Sequence, residues 1–276
     1  MKEVIAPVFD GTIFRYALRS FELVHTYKIP YIALMNGITF GGSAGYGIAP
    51  KNYRVVTENT SFAMPETTIG FFNDNGASYF LSRLKRNVGF YISLASARVN
   101  GGDIKKVGLA DYFVLNERLD ELEKSLIECK NRDDIEKTLK KFSSEPETSE
   151  IDKVLNEIDK CFDGDSVEEI IDNLHLDGSD WAMKTVNILN KFSPTSLKVC
   201  HRELELGKKL SLHDCLKMEY RMALHHAAGS DLHEGARALL VDKDNRPNYK
   251  LKTLHDVTEK DVERNRIETF RCLHMI

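Results

Sequence analysis

The sequence of 276 residues lacks the patterns typical of a metal centre, a disulfide framework or a nucleic-acid binder. Its five cysteines are scattered, without a CxxC pair or a metal-ligand spacing, so we expect reduced thiols and no metal site. A formal net charge of −4 supplies no basic surface for nucleic acid. No apolar run approaches the length of a membrane span, and no secretory signal opens the chain, so no membrane partner is expected.

Two common catalytic arrangements are also missing. No GxSxG segment is present, since the Gly-Ser-Ala run at positions 42–44 departs from that pattern, and this argues against a serine triad. His225 and His226 are adjacent, so they face different sides of a helix, and no third metal ligand has a suitable spacing. We therefore interpret these two histidines, and His233, as structural. Glu234 and Arg237, one helical turn apart, are interpreted as an ion pair.

The residues that are present predict an α/β protein. A hydrophobic content of 42% and a charged content of 29% allow a full core in one large or two small domains. Apolar runs predict three strands, at 31–35, 54–57 and 112–114, and helical spacing dominates the rest. Predicted helices include 13–24, 77–88 and 212–228, and a helix that begins with Ser193 as N-cap and Pro194 at its first position. Three strands are too few for a covered parallel sheet.

The stretch from residue 29 to residue 74 carries the features that indicate chemistry. A predicted buried strand leads into a turn with five glycines, at positions 37, 41, 42, 45 and 47, and then into a predicted helix. Unpaired N–H groups at such a helix start suit a phosphate or a developing oxyanion. Two acids follow, Glu66 after Met64-Pro65 and Asp74 in a turn-rich segment.

Three segments carry a resemblance to a known family: GITFGGSAGYGIA, FAMPETTIGFFNDNGA and LSRLKRNVGFYISLASARVNGGDIKKVGLADYFV. Together they resemble the crotonase (enoyl-CoA hydratase/isomerase) superfamily, and within it the 3-hydroxyisobutyryl-CoA hydrolases, over about residues 29–249. Two details of the resemblance favour the hydrolase branch. Gly45 stands where the hydratase pattern has a catalytic glutamate, and Asp74 stands where the hydrolase pattern has an aspartate.

The resemblance implies a crotonase-like (ClpP/crotonase) α/β fold, with a parallel sheet, surrounding helices and a helical C-terminal region. It divides the chain into a partial core (1–115), a charged helical insert (116–190), a helical region over the acyl-CoA channel (191–250) and a polar tail (251–276). Crotonase relatives have opening strands and a glycine-containing loop before this point, which supply an oxyanion N–H and part of the adenine pocket. We therefore expect an N-terminally truncated core with an unpaired sheet edge.

The resemblance also assigns an oxyanion site and a catalytic acid. Gly42, with Gly41 beside it, would bind the thioester oxygen through a backbone N–H. Glu66 would attack the thioester or activate water, and its apolar neighbours would raise its pKa by desolvation. Without the resemblance, Gly42 would be interpreted as a turn glycine, and Glu66 as a helix-start residue paired with a base such as Arg83.

Asp74 has two interpretations of nearly equal weight. By resemblance it holds the 3-hydroxyl of the substrate or serves as the partner acid. By its local sequence it is a helix N-cap, because a turn-rich segment precedes a helix. The family pattern favours a proline before this aspartate and a glycine pair after it, whereas Asn73, Gly76 and Ala77 stand in this chain.

The function implied by the resemblance is hydrolysis of 3-hydroxyisobutyryl-CoA to 3-hydroxyisobutyrate and CoA, in valine breakdown and in the mitochondrial matrix. The expected partner is a small acyl-CoA, with CoA as part of the substrate, no cofactor, and a homo-oligomer as one arrangement. A targeting segment would lie in the part that this chain lacks. One alternative is an enoyl-CoA hydratase or isomerase reaction. Another is a truncated, inactive chain that binds CoA or partner subunits.

Overall fold

Two small sheets form the centre of the fold in a computed structural model that describes residues 11–264. Strands β1 (Ala33–Met35), β3 (Arg54–Val56) and β6 (Tyr112–Phe113) form one sheet, all parallel, in the order β1-β3-β6. Strands β2 (Ile38–Phe40), β4 (Ser61–Ala63) and β5 (Val99–Asn100) form the second, where β4 pairs in parallel with β2 and antiparallel with β5.

The first sheet confirms the three predicted strands and the predicted parallel topology. Among the described residues β1 pairs with β3 alone, so one side of β1 is a sheet edge. The second sheet was not predicted. Its strands are two or three residues long, and β2 lies within the glycine-rich stretch that predicted only a turn. Gly37, with a φ of 108°, ends the run from β1 and allows β2 to start in a new direction.

Fourteen α-helices surround the sheets within residues 11–264. They are α1 (Thr12–Thr26), α2 (Gly42–Ile48), α3 (Ala77–Phe80), α4 (Val88–Leu94), α5 (Gly101–Lys106), α6 (Leu119–Ile127), α7 (Arg132–Phe142), α8 (Leu155–Cys161), α9 (Val167–Asp177), α10 (Asp180–Leu189), α11 (Pro194–Gly207), α12 (Leu212–Ala228), α13 (Ser230–Ala236) and α14 (Glu259–Arg264). Short 3₁₀ segments lie at Pro65–Ile69, Leu81–Arg83, Asn116–Arg118, Ile151–Lys153 and Leu254–Asp256, and a π-helical turn lies at Arg237–Val241.

The capping residues define several of these helices as the sequence predicts. The Ser193 hydroxyl accepts the N–H of Ser196 at the start of α11, and Pro194 occupies the first helical position. The predicted helix 212–228 is α12. Of the predicted polar tail, residues 265–276 lie outside the described part of the chain.

The predicted continuous helix at 77–88 is wrong. The chain forms the single turn of α3, a 3₁₀ turn and a reversal before α4 begins at Val88. Arg86 and Asn87 have positive φ angles of 59° and 56°, which an α-helix does not contain. The apolar spacing in this segment gave a misleading pattern, because the backbone turns there and brings α4 against α11.

Two hydrophobic clusters hold the layers together. The larger cluster runs from Leu18 in α1 to Val262 in α14 and includes apolar residues of α8, α9 and α10. The smaller cluster packs α6 and α7 against β3 and β6, through Tyr53, Val55, Val114, Leu119, Leu122, Leu139 and Phe142. The charge-rich segments are thus amphipathic helices with one buried face. In residues 11–264, every helix is too short or too polar to cross a bilayer.

Candidate active site

The glycine turn between β2 and α2 forms one wall of the candidate site. Gly41 has a φ of 55° and donates its N–H to the carbonyl of Ala63 at 3.0 Å. A Cβ atom on Gly41 would lie 2.6 Å from Oε1 of Glu66, so this position has room for no side chain. The N–H of Gly41 is therefore committed to the sheet. Gly42 begins α2, where an N–H has no carbonyl one turn earlier to bind, so the predicted oxyanion role stays with Gly42.

Glu66 lies in the 3₁₀ segment Pro65–Ile69 and is 8% exposed. Its Oε2 accepts a hydrogen bond of 2.9 Å from Nδ2 of Asn73, while its Oε1 faces Gly41. Burial, and next the negative charge of Asp74, raise the pKa of Glu66 to about 8, against the opposing effect of the Asn73 hydrogen bond. The carboxyl is thus poised to exchange a proton near neutral pH.

The predicted alternative for Glu66, an ion pair with Arg83, is wrong. Arg83 donates instead to the backbone carbonyls of Tyr79, Gly207 and Leu210. Its guanidinium also lies 3.8 Å from the centre of the Tyr79 ring. This arginine ties the 3₁₀ turn after α3 to the end of α11, and its charge does not reach the candidate site.

Asp74 follows Asn73 and lies partly accessible beside Glu66. Its Oδ1 accepts a hydrogen bond of 2.7 Å from Nδ2 of Asn75. Burial raises the pKa of Asp74 to about 6, although the Asn75 hydrogen bond favours the charged form. Because the charge of Asp74 raises the pKa of Glu66, the two carboxyls do not both ionise easily, and near neutral pH Glu66 is the one that tends to keep its proton.

The N-cap interpretation of Asp74 is wrong. The residue at the N-cap of α3 is Gly76, with a φ of 84°, and it has no side chain that could cap the helix. Asp74 contributes only its backbone carbonyl, which accepts the N–H of Ala77 at 3.3 Å. The carboxyl of Asp74 therefore does not cap the start of α3, and its Oδ1 binds Asn75 instead.

A third acid caps this helix instead. Glu219 of α12 accepts the N–H of Gly76 at 2.8 Å, the N–H of Ser78 at 3.1 Å and the hydroxyl of Ser78 at 2.5 Å. Its side chain is fully buried, and burial raises its pKa to about 8. The turn that carries Asp74 is fixed from its C-terminal side by these three bonds.

At position 45 of α2 the structure has no room for a side chain, and therefore none for an acid. A Cβ atom on Gly45 would lie 2.6 Å from the carbonyl oxygen of Asn75 and 2.7 Å from its Cβ. The turn 74–76 thus occupies the space that a side chain at position 45 would need. Position 45 cannot supply a second catalytic carboxylate unless this turn moves.

Four residues around the site escaped prediction from the sequence: Asn73, Ser93, Glu203 and Glu219. Glu203 is fully buried in α11, and within residues 11–264 neither of its carboxyl oxygens has a hydrogen-bond partner. Its burial could have been predicted, because it lies four residues after the core residue Val199 and next to Leu204 on the same helix. Asn73 had a weaker signal, as the residue that stands where the family pattern has proline.

The remaining predicted candidates lie elsewhere. His226 is buried against Phe71 and Phe72, its Nδ1 lies 2.9 Å from the carbonyl of Met222, and burial lowers its pKa to about 4, as expected of a structural histidine. The predicted ion pair between Glu234 and Arg237 is confirmed, with an N–O distance of 2.8 Å. The four cysteines in the described part of the chain are free thiols, and Cys272 lies outside it.

Similarity to known proteins places this geometry in a family context. A profile of the enoyl-CoA hydratase/isomerase family matches residues 8–265. The human mitochondrial 3-hydroxyisobutyryl-CoA hydrolase is 40% identical over 95% of this chain, and the zebrafish (Danio rerio) protein of the same name is 43% identical over 87%. The chain spans 68% and 65% of their respective lengths, about two thirds of these curated relatives.

Solved structures give the same fold. A carnitinyl-CoA dehydratase from Mycobacterium thermoresistibile superposes with a TM-score of 0.86 at 33% identity, covering 93% of this chain and 73% of its own. An enoyl-CoA hydratase from Rhodobacter sphaeroides superposes with a TM-score of 0.84 at 27% identity, covering 93% of this chain and 74% of its own. The predicted crotonase-like fold is confirmed by these two superpositions.

Proposed function

Because the chain belongs to the enoyl-CoA hydratase/isomerase family, we propose that it hydrolyses the thioester of 3-hydroxyisobutyryl-CoA to 3-hydroxyisobutyrate and CoA. The two curated relatives described above carry this activity in their names, and both are named mitochondrial. The proposal extends to a place in the mitochondrial matrix and in valine breakdown. It requires no cofactor, since CoA enters as part of the substrate.

One observation carries the proposal: the buried carboxyl of Glu66 lies against Gly41 and interacts with the partly accessible carboxyl of Asp74, and the turn 74–76 fills the space next to Gly45. A hydratase of the pattern described above needs a carboxylate from position 45. Within residues 11–264, the carboxyl that lies against the glycine turn is that of Glu66, which suits nucleophilic or general-base attack on a thioester.

The chemistry can be written through the carboxyl pair. The N–H of Gly42 binds the thioester oxygen, and Oε1 of ionised Glu66 attacks the carbonyl carbon. The C–S bond breaks, CoA leaves as a thiolate that takes a proton from solvent, and the acyl group stays on Glu66 as an anhydride. Water then adds to the anhydride and gives one proton to ionised Asp74, which releases the acid and restores Glu66. Asp74 returns this proton to the solvent, so the overall step balances.

A second route uses the same two residues without an anhydride. Glu66 takes a proton from water, which attacks the thioester directly, and Asp74 holds the 3-hydroxyl of the substrate. Both routes need Glu66 ionised. Hydrolysis in water enriched in ¹⁸O under single turnover separates them, since only the anhydride route can place ¹⁸O in the Glu66 carboxylate.

The test is chromatographic measurement of free CoA released from 3-hydroxyisobutyryl-CoA, which avoids interference from the thiols of the protein itself. Glu66→Gln is expected to lower the rate by at least about a hundredfold, because the amide can neither attack nor accept a proton. Glu128→Gln, at an exposed position at the end of α6, is the matched control and should keep the parent rate.

Two outcomes would contradict the proposal. Hydration of an enoyl-CoA without release of CoA would favour the hydratase alternative. The two solved structures described above are named as a dehydratase and a hydratase, which is the reason to test it. A chain that melts cooperatively, binds CoA and releases no thiol would favour the alternative of an inactive, CoA-binding chain.

A further inference from the structure

Asn73 makes three contacts that together fix the orientation of Glu66. Its Nδ2 donates to Oε2 of Glu66 at 2.9 Å and to the carbonyl of Met64 at 3.1 Å. Its Oδ1 accepts the hydroxyl hydrogen of Ser93, a residue of α4. Asn73 and Ser93 are both completely buried, so water does not compete for these bonds.

The two oxygens of Glu66 consequently have different surroundings. Oε2 is bound by an amide whose own orientation is set by Ser93, and a flipped amide would place its oxygen against that of Glu66. Oε1 lies against Gly41, the residue that precedes Gly42 at the start of α2. We propose that Asn73 is a positioning residue, which binds one oxygen of Glu66 and directs the other toward the thioester carbon.

The same bond sets the charge state of Glu66. Within residues 11–264, the titratable groups that face this carboxyl are three acids and a thiol: Asp74, Glu219 from α12, and Cys200 and Glu203 from α11. Asp74 and Glu219 disfavour the ionised form of Glu66, whereas the Asn73 amide favours it. Asn73 therefore keeps a larger fraction of Glu66 ionised at neutral pH than its surroundings alone would allow.

This role is particular to the present sequence, because the resembling family pattern has proline at this position, and proline carries no side-chain donor. The role rests on the proposed function for its catalytic meaning. The bond and its effect on protonation can nevertheless be measured without turnover.

The experiment compares Asn73→Leu, which keeps the approximate volume and removes the amide, with Ser93→Ala, which removes only the hydroxyl that orients it. Carboxyl ¹³C NMR of Glu-labelled protein, with Glu66→Gln used to assign the Glu66 signal, reports the protonation midpoint directly. We expect Asn73→Leu to raise this midpoint by about one to two pH units, and Ser93→Ala to raise it by less. The pH profile of kcat/KM should shift upward by the same amount, with much of the rate recovered above the new midpoint.

Three results would overturn the proposal. One is an unchanged Glu66 midpoint in Asn73→Leu. Another is a profile that loses amplitude equally at every pH, as a purely structural role would produce. The third is a cooperatively melting Asn73→Leu chain in which Ser93→Ala has the larger midpoint shift. If the parent chain releases no CoA, the NMR midpoint still decides the positioning role, while the proposed function fails on its own.

Discussion

Adding one methyl group at Gly45 is expected to destabilise the protein, whereas the same change three residues earlier in α2 is not. Intrinsic preference would favour alanine at the interior position Gly45, by about 1 kcal/mol, and by less at Gly42, the first residue of the helix. A lower stability of Gly45→Ala would therefore oppose the trend that helix propensity predicts. At Gly42 the new Cβ would lie 3.6 Å from Nδ2 of Asn75, an ordinary contact. At Gly45 it would lie 2.6 Å from the Asn75 carbonyl oxygen and 2.7 Å from its Cβ.

The steric overlap at Gly45 cannot be relieved without a substantial cost in folding free energy. Asn75 has a φ of 56°, its side chain binds Asp74, and the next residue is held by Glu219, so the whole turn would have to shift. Overpacking of a buried site costs about 1–3 kcal/mol, which corresponds to a difference of about 5 °C in melting temperature for a chain of this size.

The assay is thermal and urea unfolding of Gly45→Ala beside Gly42→Ala, followed by circular dichroism. We expect Gly45→Ala to melt about 5 °C below Gly42→Ala, with a lower urea midpoint and an unchanged slope. Its hydrolysis of the acyl-CoA should also slow, because the displaced turn carries Asp74. Equal melting temperatures for the two variants would refute the argument that the turn 74–76 blocks position 45.

Two further predictions concern the buried acids of α11 and α12. Glu219→Gln should lower the free energy of unfolding by about 1–3 kcal/mol in a urea titration. The amide nitrogen replaces one of the two carboxyl oxygens, and a nitrogen cannot accept the N–H of Gly76 or of Ser78. An unchanged urea midpoint would contradict this. Glu203→Met should raise the melting temperature, and by more at about pH 8 than at about pH 5. Burial raises the pKa of Glu203 well above 4.5, so the folded protein keeps a proton that the unfolded chain loses. The free energy of unfolding therefore falls as the pH rises from about 4.5 toward the folded pKa, by up to about 1.4 kcal/mol per pH unit. A parallel pH dependence of the parent and variant melting temperatures would argue against this assignment.

Much of the fold follows from sequence pattern alone, because the apolar strands and capped helices are local features. Ser193 and Pro194 define the start of α11, and the run before Gly37 predicts β1, without reference to the rest of the chain. The second sheet could not be predicted in this way. Strands as short as Ser61–Ala63 and Val99–Asn100 are stabilised by pairing with strands that are distant in the sequence, and that pairing depends on tertiary contacts.

The candidate site also combines features that the local sequence predicts with features that depend on tertiary contacts. The motif around Glu66 was recognisable from the sequence, and so was the absence of an acid at position 45. The contacts of Asn73 were not, since they join a loop to Ser93 on α4. The role of Glu219 could not be predicted for a similar reason. An acid on a helix is usually solvated, and the sequence near Glu219 does not indicate that α12 contacts the start of α3.

The bond between Gly76 and Glu219 joins residues that are 143 positions apart, whereas Glu66 and Asn73 are separated by only seven. Contacts across long chain segments form late in folding, because the entropy of closing the intervening loop must be lost before the contact forms. The hydrogen bond between Glu66 and Asn73 can form once the loop that contains both residues is folded. The turn that carries Asp74 is fixed only after α12 packs against it. In a refolding experiment, native secondary structure and the Glu66–Asn73 contact should therefore appear before catalytic competence, and the interval between them measures the docking of α12.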